Sequence, residues 1–137
     1  MPSQIYKHHA VEKKIASHSD TLLQIDDQLK SIIEHFETGN RSALILQCNF
    51  VLSQCSSFLS ELELLHSQIQ DDPNLHLSDV LLTQQSLLYT EYASIASDLL
   101  QTLQMNQTAR QKVMETQRQL EEQLLQTRLK RKKVNHG

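Results

Sequence analysis

Glycine and proline occur only twice each in this chain of 137 residues, tryptophan is absent, and aromatic residues make up 4% of the total. Loops and pockets need turn residues, so a chain this poor in them has little room for the irregular segments on which enzymes build active sites. Hydrophobic content is 39%, which is low for a closed globule yet ample for amphipathic helices, and the length admits one domain. An all-α fold with very few turns follows. Long apolar runs are missing too. The longest uninterrupted aliphatic stretch is Ala43 to Leu46, against the roughly twenty residues of a membrane span. Met1 to Ala10 has a Lys and two His but no apolar core, so neither a signal peptide nor direct membrane insertion is expected.

Cysteine is scarce as well, with only Cys48 and Cys55. Two helical turns put their Cα atoms about 10.5 Å apart, beyond the roughly 7 Å that a disulfide can bridge. They read as buried thiols of a reducing compartment, with pairing between two copies left open.

Neither sign of charge dominates the whole, yet the distribution is uneven. Lys and Arg stand against Asp and Glu as four to six in residues 1–39, one to four in residues 40–74, and eight to six in residues 75–137, which recovers the net charge of -3. Five of the last eight cations fall between Arg128 and Lys133. An acidic body with a basic tip does not suggest general nucleic-acid binding.

What is present is helical periodicity. Gly39 and Pro73 are the interior breakers, and they divide the chain into helices expected over about 4–38, 42–71 and 75–103, the last continuing to 134 before a short tail at 135–137. Gly39 suits a left-handed C′ position after the first helix. Asn40 or Ser42 can cap the second helix, and either Asp72 with Pro73 at N1, or Ser78, can open the third.

The first segment carries the stripe Val11, Ile15, His18, Leu22, Ile25, Leu29, Ile32, Phe36, with spacings alternating between four and three. The second carries Leu44, Cys48, Val51, Cys55, Phe58, Leu62, Leu65, Ile69, widened by Ile45, Leu52 and Leu59, so it reads as the middle of a bundle.

From Leu75 to Val134 there is neither glycine nor proline, and an unbroken helix of that length would reach about 90 Å, roughly 40 Å beyond its two neighbours. Its inner half has two adjacent apolar rows, Leu88, Tyr92, Ile95, Leu99 and Tyr89, Ala93, Ala96, Leu100, Leu103, expected to pack against both preceding helices. The first row then thins to Thr102, Asn106, Ala109, Val113, Thr116, Leu120, Gln123, Thr127. The expected architecture is a three-helix antiparallel bundle over residues 1–103, with residues 104–134 projecting as a coiled-coil element. A lone helix rich in Gln, Thr, Arg and Glu gains little from propensity. Asn106, Ala109, Val113, Leu120 and Leu124 are therefore expected to form a seam for partner helices, from other subunits or a second copy. Asn106 suits a register-setting role there. Eight glutamines between Gln101 and Gln126 sit among helically spaced Leu, Met and Val, which favours a coiled coil over disorder.

Lys130, Arg131, Lys132 and Lys133 fit a short nuclear import signal, and equally fit cations that complement a helix C-terminus; contact with phosphate of nucleic acid or lipid is a third use. His8 and His9 are adjacent and face different directions, and no His lies three or four residues from another His or from a Cys, so no metal site is expected. His18 in its apolar stripe reads as a bundle-edge residue with its polar edge in water, the alternative being a register-setting polar core residue. Asp26-Asp27 and Asp71-Asp72 are neighbours about 100° apart on a helix, unable to converge on one substrate. No phosphate loop or nucleophile elbow occurs. No catalytic residue, cofactor or small-molecule substrate is expected.

Two stretches carry a family resemblance. Leu22 to Phe36, LLQIDDQLKSIIEHF, resembles the first helix of the Surfeit-5-type head subunit of Mediator, and Pro73 to Leu88, PNLHLSDVLLTQQSLL, resembles the inter-helix turn of a Mediator middle-module subunit. Together they cover 31 of 137 residues. The resemblance implies a structural subunit of a nuclear transcription coactivator. Small helical subunits of kinetochore or microtubule-coupling complexes, and of vesicle-trafficking tethers or fusion complexes, are alternatives of the same architecture.

Overall fold

The structure, a computed structural model, describes residues 2–136, with side chains described for 8–106 and 108–131. Three long helices form it: α1 (Pro2–Glu34), α2 (Arg41–Ile69) and α3 (His76–His136), the last preceded by a 3-10 turn at Pro73–Leu75. No strand occurs among the described residues, and the chain is all-α. It divides into two units, Met1–Gln101 and Thr102–Gly137.

Both connections are short and capped. α1 ends at Glu34, earlier than its apolar stripe, because the chain turns through residues 35–39. The Gly39 N–H donates to the His35 carbonyl at 2.7 Å. No described glycine has a positive φ, so Gly39 is not the left-handed C′ residue its position suggested. Its reason is space: a Cβ there would lie 2.7 Å from the His35 oxygen. Of the two candidate caps for α2, Asn40 is the one used, its side chain accepting from the Ala43 N–H at 3.1 Å. Asp72 accepts from the Asn74 N–H at 3.0 Å, with Pro73 in the first turn, where its missing N–H costs nothing. His66 in the last turn of α2 meets Asp79 in the first turn of α3. The Asp79 carboxylate thereby suits the N-terminal end of the helix it occupies.

Within residues 1–101 the helices pack as a bundle, tied by long-range polar contacts. Lys14 reaches Glu61 at 2.9 Å, and Gln28 and Ser31 line a groove with Gln47, Phe50 and Val51, so residue numbers run oppositely along α1 and α2. The Gln85 amide donates to the Ile15 carbonyl at 2.9 Å, and the Tyr92 hydroxyl to Asp26 at 2.7 Å, so along α1 and α3 the numbers rise together.

The core takes one row from each helix. Val11, Leu22, Ile25, Leu29 and Ile32 of α1 are buried, as are Leu44, Cys48, Val51, Cys55, Leu62 and Ile69 of α2. Ile15, Phe36, Phe58 and Leu65 are partly buried, and Ile45, Leu52 and Leu59 are too. Burial pushes both Cys48 and Cys55 thiols up from their ordinary pKa. By length and hydropathy alone α2 would also suffice to cross a membrane, a property shared by core helices of soluble proteins.

α3 departs from the expected pattern. Its innermost row is Leu75, Ser78, Leu82, Gln85, Tyr89, Ala96 and Leu103, with Tyr92 and Leu99 partly buried. Leu88 and Ile95, expected in the core, are 40% and 41% exposed. The expectation of two buried rows is thus corrected to one. The buried row contains a Ser, a Gln and an Ala, so it looks less apolar than the row beside it. Leu82→Ala should cost about 2–5 kcal/mol of unfolding free energy, and Leu88→Ala less than about 1 kcal/mol. Urea titrations of the two variants measure the contrast, and equal losses would put both rows in the core.

Candidate functional site

Two features of the molecule need more than packing to explain them: the exposed outer part of α3 and a polar cluster inside the bundle. The outer part is α-helical from Thr102 to His136. Every described side chain from Gln104 to Arg131 is exposed. Apolar ones are included: Val113, Leu120 and Leu124 line a shallow groove along the helix with Lys112, Thr116, Gln117 and Glu121. Met105, Met114, Leu125 and Leu129 are exposed on other sides of the same segment. Of the expected seam, Val113, Leu120 and Leu124 therefore share one groove, whereas Asn106 and Ala109 are exposed outside its lining.

The basic tip is the end of this helix. Lys130 and Arg131 are exposed, and the side chains of Lys132 and Lys133 lie outside the described residues. A helical basic run at a C-terminus complements the carbonyl end of the macrodipole, and the same accessibility suits recognition by an acidic groove.

Inside the bundle, His18 is 3% exposed, which corrects its reading as an edge residue. It sits among groups from all three helices. Its Nε2 faces the Glu61 carboxylate at 3.6 Å, which favours the tautomer with hydrogen on Nε2. Nδ1 then accepts from the Tyr89 hydroxyl, at 2.7 Å. The Phe58 ring meets His18 edge-on and stacks on Tyr89, with ring centroids 5.6 Å apart in each pair. Burial pushes the Tyr89 phenol well above its ordinary range, so it stays protonated as the donor. Sequence reasoning placed Tyr89 in a packed row but not its hydroxyl's partner, and it missed Ser78 and Gln85 as core positions. The signal was there in phase: a 3-4 alternation started at Leu75 passes through all three.

Among the described residues no group of His, Cys, Asp and Glu is placed to hold a metal ion. Asp26 is engaged by Tyr92 and Asp72 caps the 3-10 turn, which gives each a structural role. No protein-family model matches the chain, and no curated protein or solved structure matches it either.

The buried histidine links stability to pH. Burial holds its pKa below the ordinary imidazole value; Glu61 opposes this and Lys14 adds to it. The unfolded chain therefore takes up a proton first, so this contribution is complete above about pH 6.5 and is lost as pH falls through the folded value. Glu61 is itself held below the usual carboxylate range by the hydrogen bond from Lys14, and its contribution is lost at still lower pH. Thermal unfolding midpoints should fall between pH 7 and pH 5, and the His18→Gln variant should show a shallower fall. An unchanged slope in that variant would assign the pH dependence to other groups.

Proposed function

We propose that the protein is a non-catalytic structural subunit of a larger multi-subunit assembly, in which residues 1–101 form a three-helix antiparallel bundle and the outer part of α3 projects as the docking element. The observation that carries this reading is the exposure of Val113, Leu120 and Leu124 in one groove of the outer helix. An isolated helix of Gln, Thr, Glu and Arg is marginal in water. A partner helix laid on the groove supplies the burial that the segment lacks, by coiled-coil packing.

The basic tip and the Mediator-like stretches Leu22 to Phe36 and Pro73 to Leu88 support a nuclear setting, with a transcription coactivator as the assembly. The His18 cluster, whose polar groups are paired with each other, supports a scaffold in preference to a catalyst.

Hydrogen exchange tests the docking role. Backbone amides of residues 104–131 should exchange fast in the isolated chain at high dilution and slowly in the complex recovered from its native cell. Full protection of this segment in a well-folded monomer would sink the reading. Deleting 104–137 should leave the bundle folded while abolishing co-purification. For the nuclear setting, a reporter fused to residues 120–137 should accumulate in the nucleus and lose that localisation when Lys130 to Lys133 are changed to Ala.

A further inference from the structure

Charge is divided sharply between the two units. Residues 1–101 hold five Lys and Arg against thirteen Asp and Glu, and residues 102–137 hold eight against three. A chain of net charge -3 thus consists of a unit at -8 and a unit at +5.

Each unit also leaves an apolar row uncovered on α3. In the inner unit, Leu81, Leu88 and Ile95 stand seven residues apart and are 39%, 40% and 41% exposed. In the outer unit, Val113 and Leu120 repeat the seven-residue spacing, with Leu124 a turn further on.

We propose that the outer part of α3 docks antiparallel on the Leu81, Leu88, Ile95 row of a second copy of this chain, and that the second copy returns the contact, giving a two-fold dimer built on α3. This rests on the reading of outer α3 as a docking element and names its occupant.

Charge decides among the ways two copies can meet. Inner row on inner row sets -8 against -8, and outer groove on outer groove sets +5 against +5. A parallel alignment of the two α3 helices does both at once. The antiparallel alignment alone brings each acidic unit beside the basic unit of the other copy.

Spacing then gives the register. With Leu88 opposite Leu120, Ile95 falls opposite Val113 and Leu81 opposite Thr127. The two copies exchange roles, so every pair occurs twice, as an isologous contact requires. Own-chain pairing has no turn to make it: neither Gly nor Pro occurs between Leu75 and Val134.

The test uses the full chain of 15.8 kDa. Sedimentation across a concentration series should show a mass of two copies at low ionic strength, with association about tenfold weaker or more in high salt as the charge attraction is screened. Leu88→Glu and Leu120→Glu, both at exposed positions, should each give a one-copy mass with an unchanged circular dichroism spectrum. Orientation is read by Ile95→Cys and Val113→Cys, the native cysteines being buried. Mild oxidation of the mixed variants should link two chains, and neither variant alone should.

A one-copy mass at every concentration overturns the proposal, as does a linked Ile95→Cys dimer, which marks a parallel pair. The docking reading fails separately: a one-copy mass with other helical chains still co-purifying through residues 104–137 overturns the second copy as occupant alone. A one-copy mass with no such co-purification overturns both.

Discussion

Tyr89 is the contact on which the arrangement of the bundle turns. It is fully buried, its hydroxyl bonds to His18 of α1, and its ring stacks on Phe58 of α2. A single side chain of α3 thus fixes that helix against both others. Because the hydroxyl must reach one nitrogen and the ring one neighbour, the rotation of α3 about its own axis is set with little freedom. That rotation carries Leu82 and Ala96 inward and leaves Leu88 and Ile95 outside. The two buried groups bond to each other and Glu61 faces the second imidazole nitrogen, and polar groups partnered in this way specify a core without weakening it.

α1 and α2 were legible in the sequence because each presents a nearly unbroken apolar row, and a row of that kind has one way to be buried. α3 was harder. Ser78 and Gln85 interrupt its inner row and Ala96 adds little area, so counting apolar letters gave Leu88 and Ile95 of the adjacent row the same weight as Tyr89, Ala96 and Leu103. Gln85 occupies its place by donating to the Ile15 carbonyl, a compensation that depends on a residue seventy positions away. Likewise, His18 shows as polar in its stripe, but the partner that makes its burial tolerable is on another helix. The caps were partly legible: Asn40 and Asp72 were each one of two candidates. Gly39 was chosen for the right turn and the wrong cause, since close approach to the His35 oxygen, not backbone handedness, excludes a side chain there.

The outer part of α3 was legible in a different sense. Its thin seam announced a helix that cannot complete its own burial, and the structure leaves Val113, Leu120 and Leu124 uncovered. What no single-chain pattern supplies is the covering surface, because that information is shared between two interacting faces. Residues that are indifferent to the monomer's stability can then be the ones that decide assembly.

Threonine changes how polar such a face is. The Thr108 and Thr127 hydroxyls donate to the Gln104 and Gln123 carbonyls four residues back. A hydroxyl turned onto its own helix has spent its hydrogen, and the γ-methyl is the group left to meet whatever approaches. To an approaching surface these positions present carbon, much as valine would. The outer helix is therefore drier than its letters suggest, and desolvating it costs less than a count of its polar residues implies.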